Sequence, residues 1–246
     1  MDNLFNKSKE FVLDLFFPRF CFSCKKEGFY LCDDCRALLD IAEFNYCLCD
    51  SPALRLAIGS KTGKCNRCQN KKLSGLYFAL PYKQTLTKKL VYQFKYQPYL
   101  KDLAKTLASI LAEHFVISGK NTDEIWKNSI LVPIPLDKKK LKNRGYNQTE
   151  ELAKELSKII QVPMISDLLV KLKSTKPQME LSKTEREKNL AGTFAVKPVF
   201  APELRGGKVF LVDDVYTTGA TMEECCLALK RAGAKSVWGI ALAREE

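Results

Sequence analysis

From Leu76 onward the chain alternates between short apolar runs and longer segments in which apolar residues recur every three or four positions. The short runs predict strands at residues 76–80, 130–135, 168–173, 192–196, 209–212 and 236–243. The longer segments predict helices at residues 84–96, 99–116, 145–160 and 222–232. Strands that alternate with helices favour an α/β fold with a mostly parallel sheet, whose ligands bind at the carboxyl ends of the strands.

Two segments, residues 4–17 and residues 174–190, lie outside this alternation of strands and helices. Residues 4–17 have the spacing of a short amphipathic helix that Asp14 interrupts and Pro18 ends, and we interpret it as a packing helix rather than a secretion signal. Residues 174–190 are polar and charged, with no hydrophobic period before Leu190. They predict a mobile loop that leads into a helix and could close over a ligand.

The bulk composition is typical of a globular protein. The chain has 246 residues, of which 46% are hydrophobic, and no apolar run reaches the length of a membrane span. Its formal net charge of +12 indicates either a polyanionic partner or lysine-rich faces that are only solvated. The composition changes from Leu76 onward, and we predict a cysteine-rich, zinc-binding module with its preceding helix at residues 1–72 and an α/β domain at residues 73–246.

Eight of the ten cysteines lie before residue 69, and their spacing indicates metal ligands. In a cytoplasmic protein, which the lack of a convincing signal favours, clustered thiols indicate a metal before disulfides. Two CxxC pairs with a short spacer predict a structural zinc site, with disulfides as the alternative: Cys21, Cys24, Cys32 and Cys35. A CxC pair and a CxxC pair leave a second zinc open: Cys47, Cys49, Cys65 and Cys68. We interpret Cys225, Cys226 and the single histidine, His114, as packing residues.

The chain's most informative stretch follows the apolar run at residues 209–212. Two carboxylates, Asp213 and Asp214, precede a loop with three threonines and Gly219, and a predicted helix follows. Unpaired N–H groups at a helix N-terminus favour a phosphate, while adjacent carboxylates suit a sugar diol. One ligand that carries both groups is a ribose 5-phosphate. The alternative is a buried strand that ends in a capped helix, with solvated carboxylates. The chain contains neither a GxxxxGK[ST] nor a GxGxxG motif, which disfavours the common nucleotide folds.

A basic run follows the strand predicted at residues 130–135. The pattern predicts a positive loop that meets a pyrophosphate or a nucleic-acid backbone, and the alternative is a solvated lysine run. The residues of this predicted loop are Lys138, Lys139, Lys140, Lys142, Arg144, Tyr146, Asn147 and Gln148.

Residues 211–221 resemble the signature of type I phosphoribosyltransferases, which bind 5-phosphoribosyl 1-pyrophosphate (PRPP). The resemblance implies that Asp213 and Asp214 are catalytic residues that hold the ribose hydroxyls, and that Mg²⁺ binds the pyrophosphate. It implies a sheet of the type I phosphoribosyltransferase kind and assigns the 5-phosphate to Val215, Tyr216, Thr217, Thr218, Gly219, Ala220 and Thr221.

The order of motifs along the chain is similar to that of the ComF family of competence proteins. These motifs are the cysteine module, Phe94–Tyr96, Val132–Leu136, Arg144–Gln148, Lys176–Gln178 with Leu181 and Ser182, Arg186, Asn189 and the loop described above. The resemblance implies a role in natural transformation, acting on incoming single-stranded DNA at the cytoplasmic face, with a DNA-uptake helicase as a partner. It also adds Arg186 to the candidate ligand-binding residues. The CxC pair departs from the CxxC of many relatives.

Two hypotheses follow. The first is a zinc-stabilised protein that binds single-stranded DNA through basic residues and stacking on Phe94, Tyr96 and Tyr146, with PRPP or a nucleotide as a regulator. The second is an enzyme that transfers ribose 5-phosphate from PRPP to a nucleobase or another nucleophile.

Overall fold

The computed structural model describes residues 18–49, 54–56, 63–96, 100–120, 123–173 and 192–245. The amphipathic helix predicted at residues 4–17 and the whole loop predicted at residues 174–190 lie outside these ranges. So does Arg186.

The described residues form eight α-helices and six strands. The helices are α1 (Asp33–Arg36), α2 (Thr85–Lys95), α3 (Leu103–Ile117), α4 (Asp123–Trp126), α5 (Lys138–Arg144), α6 (Gln148–Ile160), α7 (Ala201–Leu204) and α8 (Ala220–Arg231). The strands are β1 (Leu76–Pro81), β2 (Ser129–Pro133), β3 (Leu169–Lys171), β4 (Phe194–Val196), β5 (Lys208–Tyr216) and β6 (Ser236–Arg244). Short 3₁₀ turns lie at Asn66–Cys68 and Pro198–Phe200.

Four of the strands make one parallel sheet in the order β1-β6-β5-β2. In its register, Val209 of β5 lies between Ile130 of β2 and Val237 of β6. The strands β3 and β4 pair antiparallel as a separate two-stranded sheet. The predicted α/β fold with a mostly parallel sheet is therefore confirmed.

Both faces of the parallel sheet are covered, as a parallel sheet requires. Alternate residues of β5 point to opposite faces, so Phe210 and Val212 join one apolar core while Val209 and Leu211 join the other. The helices α2, α3 and α6 pack on the first face, which we call the α3 face. The helix α8 and the β3–β4 pair pack on the second, which we call the α8 face.

The strand predicted at residues 209–212 is longer in the structure. β5 continues through Asp213 and Asp214 to Tyr216, because its ladder with β6 is maintained as far as the pairing of Tyr216 with Arg244. The two carboxylates therefore lie inside a strand, and backbone pairing on the β6 side restricts where their side chains point.

The prediction of a positive loop at residues 138–144 was wrong, because this segment is the helix α5. The side chain of Asp137 accepts a hydrogen bond from the backbone N–H of Lys139 at 3.0 Å and caps the helix. Gly145 ends the helix with φ of 77°, a conformation that favours glycine. The exposed lysines of the run therefore project from a helix.

No helix in the described ranges combines the length and the apolar character that a membrane crossing needs.

Candidate functional site

A cleft of about 930 Å³ opens at the carboxyl ends of the parallel strands. Its floor comes from the ends of β2 and β5, and its walls come from α2, α5 and the first turns of α6 and α8. Ligand sites of parallel α/β sheets lie at this edge, since the loops after neighbouring strands meet there. The candidate residues Asp213 and Asp214 lie in this cleft with the loop that follows them.

Asp214 is held by residues from two other elements. Its Oδ1 lies 2.8 Å from Nζ of Lys95 at the end of α2, and its Oδ2 accepts a hydrogen bond from Nε2 of Gln148 at 3.0 Å. The side chain of Asp214 is only 4% exposed. Burial opposes the charge on Lys95, but the nearby carboxylate of Asp214 outweighs this effect and holds the pKa of Lys95 above its ordinary value. Lys95 therefore stays a cation in the cleft.

Asp213 has a different environment although it is the neighbouring residue. Its Oδ1 accepts a hydrogen bond from the backbone N–H of Asp214 at 2.8 Å. Desolvation and then the charge of Asp214 raise the pKa of Asp213 to about 8, against the opposing effect of Lys95. Two adjacent aspartates thus differ in the site: Asp214 is held by a cation and an amide, whereas Asp213 is poised to exchange a proton near neutral pH.

The loop after β5 turns tightly into α8. Gly219 has φ of 76°, and a Cβ on it would lie 2.3 Å from the hydroxyl oxygen of Tyr216. Any larger residue would therefore meet both backbone strain and a steric clash. The side chain of Thr218 accepts a 3.4 Å hydrogen bond from the N–H of Ala220, where α8 begins. The N-terminus of α8 lines the cleft, and its backbone dipoles favour an anion there.

The first turn of α6 is fixed to the end of β2. The side-chain oxygen of Asn147 caps the N–H of Thr149 at 3.3 Å, and its amide donates to the carbonyl oxygen of Ile134 at 3.1 Å. The hydroxyl of Thr149 donates to the same carbonyl at 2.7 Å. Asn147 therefore shapes the site by placing the helix, and Gln148 reaches the carboxylate of Asp214.

The structure corrects the predicted stacking residues. Phe94 is fully buried, and Tyr146 is also buried, with its hydroxyl donating to the carbonyl oxygen of Phe94 at 2.8 Å. The two rings pack with centroids 6.2 Å apart in the core. Neither can offer a free face to a DNA base in this structure, and only Tyr96 of the predicted three is exposed.

The predicted basic residues separate into two groups. Lys140 and Arg144 line the cleft, whereas Lys138, Lys139 and Lys142 lie on the exposed surface of α5 and outside the cleft lining. The structure adds Lys88, Lys89 and Lys95 from α2, together with Lys171 from β3. Lys95 was part of a motif in the sequence, but no local signal indicated its contact with Asp214, 119 positions further along the chain (214 − 95).

Both cysteine quartets are assembled. In each, one Sγ per residue lies within 4.8 Å of the others, and all eight cysteines are free thiols. The first quartet is Cys21, Cys24, Cys32 and Cys35, and the second is Cys47, Cys49, Cys65 and Cys68.

The sulfur spacing in both quartets fits a tetrahedral zinc ion. Bonds of 2.3 Å to zinc would place sulfurs about 3.8 Å apart. The observed separations include 3.5 Å for Cys24 and Cys32 and 3.3 Å for Cys49 and Cys65. The irregular CxC pair therefore assembles as well as the regular quartet does.

The packing predictions for the remaining candidates are confirmed. Cys225 and Cys226 are fully buried in the core of the α8 face. His114 is buried, and its Nδ1 lies 2.6 Å from the carbonyl oxygen of Ala42. Burial lowers the pKa of His114 to about 4, so it is neutral at physiological pH.

Comparison with known proteins identifies the class of the α/β domain. Residues 142–245 match the family model described as the phosphoribosyl transferase domain. This range contains α6, β5, α8 and β6, which supply the two aspartates and the loop after them. The α/β region is thus a phosphoribosyltransferase-type domain, and the cysteine quartets lie N-terminal to it.

Three relatives extend the match toward the N-terminus. Competence protein F of Haemophilus influenzae is 33% identical over 156 residues, which is 63% of this chain and 67% of that protein. DNA utilization protein YhgH of Salmonella typhi is 28% identical over 220 residues, or 84% of this chain and 93% of that one. Competence protein ComFC of Streptococcus pneumoniae is 32% identical over 142 residues, or 58% and 56%. The chain belongs to the ComF family of competence proteins.

Proposed function

We propose that the chain binds PRPP in the cleft with Mg²⁺ and acts on single-stranded DNA during natural transformation in the cytoplasm. The observation that carries the first part is the continuous segment of β5, loop and α8. It presents two carboxylates and then a glycine turn at a helix N-terminus, which matches the chemistry of a ribose diol and a phosphate. The names of the relatives support the second part.

Each group of PRPP has candidate partners in the cleft. Asp213 and Asp214 would accept hydrogen bonds from the ribose hydroxyls, and residues 215–221 would surround the 5-phosphate. Lys140 and Arg144 would face the pyrophosphate from α5. Magnesium would neutralise charge on the pyrophosphate, and the carboxylates and carbonyls of the cleft are ligands that it accepts in proteins.

We further propose that each quartet holds a structural zinc ion. The support is the thiol-only ligand set and the sulfur separations near those of a tetrahedral site. Four sulfur ligands leave no open position, so zinc here would stabilise the fold rather than react. The division into a zinc module at residues 1–72 and an α/β domain at residues 73–246 belongs to the same proposal.

The case for DNA rests on charge. The net charge is +12, and α5 exposes Lys138, Lys139, Lys140 and Lys142 beside the cleft. Contacts to phosphates release counterions, so the affinity for a single strand should fall steeply as salt increases. Removing charge at these lysines and Arg144 should flatten that slope, whereas removing Lys154 and Lys158 on α6 should leave it unchanged. A salt-independent affinity in the wild type would contradict the proposal. A helicase of the uptake machinery is the protein partner that family membership suggests.

The test of the PRPP site is a calorimetric titration of the zinc-loaded protein with PRPP and Mg²⁺. We expect binding that Asp213→Asn with Asp214→Asn abolishes. The matched control is Asp33→Asn with Asp34→Asn, an exposed adjacent pair on α1, which should leave PRPP affinity unchanged. Unchanged affinity in the first double variant would exclude this site. A repeat with a short oligonucleotide present would show whether the two ligands are coupled.

The enzymatic alternative is favoured by the position of Asp213, which lines the cleft beside the proposed ribose site. Burial raises its pKa to about 8, which suits a group that exchanges a proton with a reactant near neutral pH. Release of pyrophosphate from PRPP in the presence of a nucleobase, lost in Asp213→Asn, would support transfer. PRPP binding without pyrophosphate release for any nucleobase or oligonucleotide would favour the binding protein.

A further inference from the structure

Two tyrosines lie exposed at the rim of the cleft, Tyr92 on α2 and Tyr96 directly after its last residue. Tyr92 is 57% exposed and Tyr96 is 44% exposed, and their ring centroids are 5.0 Å apart. The spacing of four residues places them one above the other on the helix, and the main-chain N–H of Tyr96 is bonded to the carbonyl of Tyr92 at 2.8 Å. The buried face of α2 carries Leu90, Val91 and Phe94, so these two rings are not part of the core.

Arg144 of α5 extends this pair from the other wall of the cleft. Its guanidinium carbon lies 5.5 Å from the centroid of the Tyr96 ring, within the range of a cation–π contact. Its Nη1 is buried and has no hydrogen-bond partner among the described residues. Side chains from α2, its C-terminal end and α5 therefore lie side by side, although the two helices are far apart in the chain. Tyr92, Tyr96 and Arg144 all line the cleft. We call Tyr92, Tyr96 and Arg144 the aromatic row.

The charges beside the aromatic row define the class of ligand. Lys88 and Lys89, one turn before Tyr92, are exposed and line the same cleft, as does Lys140. A groove that combines aromatic faces with cations fits a nucleic-acid strand, since the bases stack on the rings while the phosphates meet the lysines. An acidic peptide would use the lysines but would leave the rings without a planar partner.

We propose that the aromatic row stacks a nucleobase of single-stranded DNA at the mouth of the phosphoribosyl cleft. This inference rests on the proposed function and adds the place where the strand lies. A stacked base there would lie beside Lys95 and the two aspartates, because Lys95 is adjacent to Tyr96 in the chain and pairs with Asp214 at 2.8 Å. The strand and PRPP would then occupy adjoining parts of one cleft. The aromatic row takes the stacking role that the sequence assigned to Phe94 and Tyr146, whose rings are buried in the core.

The test separates stacking from backbone charge. Fluorescence anisotropy would compare a labelled twelve-residue oligothymidylate with an abasic strand of the same length, which keeps the phosphates and lacks the bases. The wild type should bind the thymidylate about tenfold or more tightly than the abasic strand. Tyr92→Ala with Tyr96→Ala should lose this preference and keep the affinity for the abasic strand.

Matched variants control for the fold and for chemistry. Tyr92→Phe with Tyr96→Phe should retain the preference, because the rings remain. Arg144→Lys keeps the charge but removes the planar group, so the preference should fall by a few fold. Phe29→Ala, at an exposed ring on the cysteine-rich segment, should change nothing. Melting temperatures would confirm that each variant is folded.

Each outcome decides a separate question. A thymidylate preference that persists in the double alanine variant would overturn the aromatic row while leaving DNA binding in place. A wild type that binds both strands equally would also overturn it, since charge alone would then explain binding. A wild type that binds neither strand would overturn the DNA part of the proposed function itself, and the calorimetric titration with PRPP would still test the rest.

Discussion

The two cysteine quartets have the same ligands but lie on opposite faces of the sheet. The first joins the apolar core of the α3 face through Cys21, Cys32 and Cys35. The segment around the second packs on the α8 face through Leu48 and Leu73. The two quartets contact different parts of the fold, and only the contacts of the second lead to the candidate site.

The first quartet is tied to a helix away from the cleft. Arg36, next to Cys35, donates to the carboxylate of Glu113 at 2.6 Å and to the hydroxyl of Ser109 at 2.8 Å, both on α3. None of the four cysteines lines the cleft. The contacts of the first quartet are therefore with the α3 face rather than with the elements of the cleft.

The second quartet is tied to the cleft through Arg244. This residue is 2% exposed, and it donates to the carbonyl oxygen of Cys47 at 2.7 Å and to that of Cys49. Both carbonyls of the CxC pair thus face the same guanidinium. The guanidinium carbon also lies 5.7 Å from the ring centroid of Tyr216, the residue that packs on Gly219.

A second tie leads from this quartet to α8. Glu223, in the first turn of α8, accepts hydrogen bonds from the backbone N–H groups of Lys72 at 2.7 Å and Leu73 at 3.4 Å. These residues follow Cys68 closely in the chain. Two quartets of four thiols thus differ in their surroundings: the first contacts α3, and the second contacts the strand end and the helix that flank the loop after β5.

The largest expected effects come from removing one ligand of each quartet. Cys35→Ser and Cys68→Ser should each lose one equivalent of zinc and about 3 kcal/mol or more of stability, because metal binding contributes folding free energy. Only Cys68→Ser should also weaken PRPP binding. We expect the molecules of this variant that remain folded to bind PRPP about tenfold less tightly than the wild type does. Zinc content, thermal melts and calorimetry would measure these effects. Equal losses of PRPP affinity would remove the distinction between the quartets.

The arginines provide a test that leaves the cysteines intact. Arg244→Met removes charge-assisted hydrogen bonds from a buried site and should cost about 2–4 kcal/mol. Arg36→Met breaks a partly exposed pair and should cost less than about 1 kcal/mol. Denaturant unfolding and PRPP titration would separate them, and we expect weaker PRPP binding only for Arg244→Met. PRPP binding by Arg244→Met at wild-type affinity would show that the link to Tyr216 has no role in it.

The α3 face also contacts the cleft, because Lys95 at the end of α2 pairs with Asp214. Lys95→Met leaves the buried carboxylate of Asp214 without its cation, and we expect PRPP affinity to fall by about tenfold while zinc content stays unchanged. The control is Lys101→Met, which breaks a 2.9 Å pair between an exposed lysine and Glu151 outside the cleft lining. Loss of zinc in Lys95→Met would mean that the cleft and the first quartet are coupled after all.

The smallest expected effect is the pH dependence of Asp213. Its raised pKa means that folding favours the protonated carboxyl, so the stability from this group is complete below the pKa of an unfolded aspartate. It is lost as the pH rises from there through the folded value of about 8. Asp213→Asn removes this loss, so its melting temperature should rise progressively relative to that of the wild type between pH 5 and pH 8.5.

The control for this pH experiment is Asp167→Asn. Asp167 is an exposed carboxylate whose hydrogen bond from Lys197 lowers its pKa. Its contribution is therefore present above the unfolded pKa and lost only as the pH falls. No such rise between pH 5 and pH 8.5 is expected for it, and a rise equal to that of Asp213→Asn would assign the effect to another group.

Much of the fold could be predicted from local pattern. The apolar runs located all six strands, and the period of three to four located α2, α6 and α8 to within a few residues. The paired aspartates, the threonines and Gly219 indicated the kind of site because they are contiguous in the chain. The segment at residues 138–144 was predicted wrongly because its dense charge is typical of a solvated loop, whereas Asp137 and Gly145 cap it as a helix.

The features that local pattern does not predict are contacts between residues far apart in the chain. Nothing near Lys95 in the chain indicates its pairing with Asp214, and nothing near Arg244 indicates that it binds the carbonyls of Cys47 and Cys49. Phe94 and Tyr146 carry the same local signal as Tyr96, and only packing decides which ring is enclosed. Such pairings arise when the chain folds, so a single sequence does not contain them as a pattern.

The most direct test of the account is a phosphorus NMR titration of PRPP and Mg²⁺ with the zinc-loaded protein. PRPP has one phosphorus on the 5-phosphate and two in the pyrophosphate, so the resonances report on separate parts of the cleft. We expect the 5-phosphate resonance to shift or broaden with the wild type but not with Gly219→Ala, whose Cβ would collide with Tyr216. A 5-phosphate resonance that is unchanged by the wild type, or that responds equally to Gly219→Ala, would contradict the assignment of this loop as the phosphate site.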